Sequence, residues 1–119
     1  MALELARKVS EIPRLYEESE KSTASLLKDF GFPEWRHALS AEEVESVLAK
    51  RPDLAELWLE RGQDQRYAGG WGIEQEDGRW RIQSFADGKR LTIENRYRAV
   101  AEFIVRYVGR IGEVITRTE

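Results

Sequence analysis

The sequence predicts an α+β fold: a helical N-terminal half, a three-stranded antiparallel β-meander, and a long C-terminal amphipathic helix packed on the sheet. Three observations predict it. Apolar residues recur at helical spacing up to Gly62, alternate with a period of two from Tyr67 to Glu94, and return to helical spacing from Val100. The 119 residues amount to one domain (1–119), with a helical part over 1–62 and the meander plus C-terminal helix over 67–115. Hydrophobic residues make up 41% and charged residues 34%, and twelve aromatics are present, a composition that excludes a disordered chain.

The first helical stripe is Leu5, Val9, Ile12 and Tyr16, and Leu26, Leu27 and Phe30 resume it after a polar stretch. The pattern reads as two helices, or as one kinked near Pro13. Gly31 and Pro33 end it, which puts Phe32 and Trp35 in a connecting loop. Ser40 followed by Glu43 has capping-box spacing, so a helix should start at Ala41 and stop before Pro52. Asp53 and Glu56 repeat the device and open a helix carrying Leu54, Leu57 and Trp58, ended by Gly62. The two form an αα-hairpin.

Asp77-Gly78 and Asp87-Gly88 read as two-residue hairpin turns. On that register Ile73 faces Ile82, and Ile82 faces Ile93, a row of three isoleucines shared with Trp71, Trp80 and Leu91. Glu74, Arg81 and Glu94 form a charge ladder on the opposite face, with Glu76 opposite Arg79. After the N-cap candidate Asn95, a broad stripe from Val100 through Phe103, Ile104, Tyr107, Val108 and Ile111 marks a helix that covers the isoleucine face. Gly109 and Gly112 weaken its far end, so Glu113 to Glu119 is expected to fray or run on as an irregular tail.

Composition bounds the function. The net charge is −3, carried by the first half: residues 1–61 sum to −4 and residues 62–119 to +1. Such a balance disfavours a non-specific hold on nucleic acid or on an anionic membrane and favours a basic partner. With no cysteine there is no disulfide frame, thiolate nucleophile or thiolate metal site. No apolar run approaches membrane-spanning length, and Met1 to Ser10 carries Glu4, Arg7 and Lys8 where a signal peptide needs an apolar core, so the expectation is a cytoplasmic protein.

Sites for chemistry are scarce. The single histidine, His37, lacks a sequence context for catalysis, and a structural hydrogen bond is the commoner use of such a residue. Gly69-Gly70-Trp71-Gly72 enters a strand and lacks a phosphate-loop continuation, and no metal-ligand or nucleophile motif occurs. No catalytic residue, metal or cofactor is expected, and the chain is not expected to be an enzyme. The runs Glu17, Glu18, Glu20 and Glu42, Glu43, Glu45 read either as solvated helix faces or as an acidic docking surface. Phe85 falls on the solvent face by strand parity, beside Arg90 across the second hairpin, unless a bulge turns it inward.

The segment Gly70-Trp71-Gly72-Ile73, then Gly78-Arg79-Trp80-Arg81-Ile82-Gln83-Ser84-Phe85-Ala86-Asp87-Gly88, then Tyr97-Arg98-Ala99-Val100-Ala101-Glu102-Phe103-Ile104 resembles small bacterial immunity proteins of polymorphic-toxin and contact-dependent growth inhibition systems. The shared feature is a tryptophan-bearing hairpin followed by an alanine-rich amphipathic helix, over about residues 67–111. The resemblance implies an antitoxin that binds a cognate toxin domain, often a nuclease, and blocks its active site or substrate surface. On that reading Glu17, Glu18, Glu20, Glu42 and Glu45 supply charge, and Phe85, Arg90 or Trp35 supplies a packed anchor. The partner is then a basic toxin domain, with no direct nucleic acid or membrane binding; the sequence leaves the oligomeric state open, a monomer being favoured. The alternative is a secretion chaperone or adaptor that binds a dedicated client, which would need an apolar groove or a stable homodimer face.

Overall fold

The computed structural model describes residues 2–19, 25–26, 29, 39–63, 71–84 and 88–118. Helices α1 (Ala2–Ser10) and α2 (Ile12–Ser19) come first, then α3 (Ala41–Lys50) and α4 (Pro52–Gln63). Strands β1 (Trp71–Glu76), β2 (Arg79–Ser84) and β3 (Arg90–Ile93) follow, and α5 (Arg96–Thr118) closes the chain.

Two helices and a proline break stand where one kinked helix was the other possibility. Pro13 has no N–H and its ring crowds the carbonyl one turn back, so the ladder is interrupted at Glu11. The Glu11 N–H still bonds back to Arg7 and Lys8 at 3.2 Å each, and the Glu11 carbonyl accepts from Leu15 at 2.9 Å. Of the predicted stripe, Val9, Ile12 and Leu26 are buried, beside Ala6, while the side chains of Leu5, Tyr16, Leu27 and Phe30 lie outside the described residues.

Ser40 caps α3 as expected: its Oγ accepts from the Glu43 N–H at 3.3 Å and donates to the Glu43 carboxylate at 2.8 Å. Helix α4 begins two residues earlier than the Asp53 cap predicted, at Pro52 and not at Leu54. Pro52 occupies the first helical position, where its missing N–H costs nothing and its fixed φ already suits a helix. Arg51 is thus the single residue between α3 and α4. Its N–H satisfies the carbonyls of Val47 and Leu48, and its own carbonyl accepts from Leu54 at 3.0 Å. Asp53 lies in the first turn, where its charge meets the positive end of the helix.

The sheet is an antiparallel meander in the order β1-β2-β3. Asp77 and Gly78 take φ of 52° and 77°, the two positive values a type I′ turn demands, and this sets Ile73 opposite Ile82 and Glu76 opposite Arg79. The second hairpin departs from expectation. Asp87-Gly88 is not a two-residue turn: the Ser84 N–H bonds the Lys89 carbonyl at 2.9 Å and the Gly88 N–H bonds the Ser84 carbonyl at 3.0 Å, which leaves four residues in the connection. Gly88, at φ 74°, supplies the left-handed step before the chain re-enters the sheet. Ile82 therefore faces Leu91, Trp80 faces Ile93, Arg81 faces Thr92 and Arg90 faces Gln83. The row of three isoleucines, the Arg81–Glu94 rung and the Phe85–Arg90 pairing are corrected accordingly. Because the slip is two residues, each side chain keeps its face, which is why the face assignment survives the register error.

Helix α5 covers the Ile73, Ile82 and Leu91 face and is flanked on its other side by α3, while α4 packs on β1 and α1 packs on α3. Asn95 caps it, its side-chain oxygen accepting from the Arg98 N–H at 2.9 Å. The expected tail at Glu113 is instead helical through Thr118. The spacing of Val108, Ile111 and Ile115 continues the apolar stripe past both glycines, and such a stripe outweighs their low propensity. At the centre Trp58 meets Phe103 and Tyr107 edge-on, with centroids 6.2 and 5.6 Å away, and Phe103 stacks on Tyr107 at 5.7 Å. All three rings are essentially inaccessible. Each ring pair adds about 0.5–1.5 kcal/mol to the burial of its surface.

Candidate functional site

The amphipathic helices send their apolar side chains inward and leave carboxylates outside. On α3, Glu42 and Glu45 lie one turn apart and both reach Arg98 of α5: Nη2 is 3.2 Å from Glu42 and Nη1 is 3.3 Å from Glu45. Glu42 stays 70% exposed and Glu45 31%. The Glu42 carboxyl is held below the ordinary range by the backbone N–H at the start of its helix and then by Arg98. Both carboxylates are fixed in direction by one guanidinium, which offsets part of their charge.

Glu18 belongs to a second cluster. Arg14 bonds Glu11 at 2.6 Å and Glu18 at 3.2 Å, and Glu11 lies 4.0 Å from Arg51, which in turn pairs with Asp53 at 3.0 Å. This alternating chain ties the α1–α2 break to the α3–α4 junction. The Glu17 backbone is in α2, but its side chain, like Glu20, Trp35, His37 and Phe85, lies outside the described residues. Arg90 is exposed on β3. The structure thus joins Glu42 to Glu45, puts Glu18 in a separate ion-pair cluster, and leaves Arg90 on the sheet.

Two concavities flank the first hairpin. On the solvent face of the sheet, Arg81 bridges Glu74 at 2.7 Å and Glu76 at 3.0 Å, and Arg79 lies 3.7 Å from Glu94. With Asp77 and Thr92 this face borders a hollow of about 430 Å³. Its arginines are matched by carboxylates, a poor surface for phosphates. The second concavity, about 530 Å³, is a groove between α4 and the turn end of the hairpin, lined by Glu56, Leu59, Glu60, Gln75, Trp80 and Arg96. Arg96 pairs with Glu56, and Trp80 is half-buried.

No known family, characterised protein or solved structure matches this chain. Among the described residues no group of three or more His, Cys, Asp or Glu is placed to hold a metal ion, and no helix is long and apolar enough to cross a membrane. The groove escaped the sequence reading because Trp80 was assigned by parity to the covered face. Parity gives a side of the sheet but not how far the covering helix extends over it. The signal that could have found it is the i, i+4 pair Glu56 and Glu60 on the helix that lies along β1.

Proposed function

We propose that this chain is an immunity protein that binds a cognate toxin domain, a basic nuclease, and neutralises it by occluding its active site or substrate surface. The observation that carries the reading is the outward charge of the helical layer. Glu18, Glu42 and Glu56, though each is paired with one arginine, remain 59%, 70% and 59% exposed while the apolar side of the same helices is consumed by the core. A nuclease must be cationic where it holds phosphates, so an ordered array of carboxylates can occupy that surface and steer the encounter. The tryptophan hairpin and the alanine-bearing helix, on which the resemblance to immunity proteins rests, are both formed.

The test is co-expression with the carboxy-terminal region of whatever large gene lies immediately upstream. Survival of cells that the fragment alone kills, together with co-purification of the two proteins, is the expected result. A fragment that kills regardless contradicts the reading for that pair. Co-purification with a harmless fragment favours a client-binding chaperone.

A further inference from the structure

The groove beside Trp80 brings an indole ring together with two carboxylates. Its floor is apolar, formed by the half-buried Trp80 ring and the nearly buried Leu59. Its rim holds two carboxylates and one guanidinium, and the guanidinium of Arg96 is already engaged by Glu56. Glu60, one helical turn further along α4, is exposed and has no ion-pair partner among the described residues. Gln75, opposite Trp80 in the sheet, is likewise exposed and offers a neutral acceptor. The groove thus presents an aromatic face, an uncommitted carboxylate and an amide, with a net negative rim.

On the reading that the chain binds a basic toxin domain, we infer that this groove receives an arginine side chain from that domain. The guanidinium lies over the Trp80 face, a planar cation being the best partner for an indole, and donates its N–H groups to Glu60 and Gln75. Arginine is favoured over lysine because a flat guanidinium fills a slot between an indole and a carboxylate, whereas an ammonium keeps its water. Around such an anchor the exposed carboxylates act as the rim, and the Trp80 contact carries a large part of the affinity.

The experiment uses the full-length, ¹⁵N-labelled protein titrated with N-acetyl-arginine methylamide, following the indole N–H signal of Trp80, which is assigned by its loss in Trp80→Phe. A saturable shift at millimolar probe is expected, absent with the neutral citrulline analogue and absent in Glu60→Gln, whose remaining spectrum reports that the fold is intact. Equal shifts with citrulline, no saturable shift, or a Trp80 shift produced by raising the protein concentration alone would each overturn the inference, the last by making a second copy of the chain the occupant. The co-expression assay separates the two levels. If the wild type fails to rescue, the immunity reading falls for that pair. If the wild type and Glu60→Gln rescue alike and bind the co-purified fragment with equal affinity, the groove assignment falls and immunity stands. The inference expects Glu60→Gln to weaken that affinity about tenfold.

Discussion

The indole N–H of Trp58 donates to the carbonyl of Ser10 at 2.9 Å, across 48 residues of sequence, at the point where Pro13 divides the N-terminal helix. The break exposes a backbone acceptor in the interior, and a buried acceptor without a partner is costly. Trp58 supplies the donor and also centres the Phe103–Tyr107 aromatic cluster. One side chain thereby fastens the N-terminal helices to both α4 and α5.

Replacing Trp58 by Phe keeps a ring in the core but orphans the Ser10 carbonyl. The expected loss is about 1–3 kcal/mol in urea unfolding. Trp71→Phe is the comparison. Trp71 is only half-buried and its notable contact is with the Arg106 guanidinium, 5.8 Å from the ring, so the change should cost less than about 1 kcal/mol.

Three glycines separate by backbone conformation alone. A Cβ at Gly78, Gly88 or Gly109 meets nothing within 4 Å, but the first two have positive φ and Gly109 is helical. Gly78→Ala should destabilise by about 1–2 kcal/mol and Gly109→Ala should stabilise by about 0.5–1 kcal/mol, read from denaturant midpoints.

Ser40→Ala removes the acceptor for the Glu43 N–H and should cost about 1 kcal/mol, while Asn95→Ala should do the same at the start of α5. Amide hydrogen exchange should quicken at Glu43 and at Arg98 respectively, which locates each effect at its own helix.

Among the described residues, two carboxyls with a lowered pKa contribute to the acid limb of stability. Asp53 is held down chiefly by its bond to Arg51, and Glu42 by its helix N-terminus and then by Arg98. A carboxyl with a lowered folded-state pKa binds fewer protons than in the unfolded chain, so its contribution is present above the unfolded value and lost as pH falls through the folded one. Stability should therefore decline below the ordinary values of 4.5 for Glu and 3.8 for Asp. Arg98→Gln should lower the melting temperature at pH 7, and its difference from wild type should shrink as acid neutralises Glu42.

The elements most legible in the sequence were those whose cause is local. Asp77-Gly78 demands two positive φ values, and Ser40 with Glu43 spells a cap, so both could be placed from a few residues. Asp87-Gly88 carries the same letters but a longer connection, and only the hydrogen bonds of Ser84 reveal it. Arg98 could be put on a helix but not matched with Glu42 and Glu45, because they lie 56 and 53 positions away and the pairing follows from how α3 lies on α5. The Trp80 groove was hidden for the same reason, since its two walls come from separate elements.

The most direct test of the central claim is the association rate of this protein with the co-purified toxin fragment, measured by stopped-flow at increasing salt. Steered binding to a basic domain predicts a rate that falls at least about tenfold between low and high salt, and a Glu18→Lys, Glu42→Lys double variant that is slow at every salt concentration. A rate indifferent to both salt and charge reversal would contradict the account.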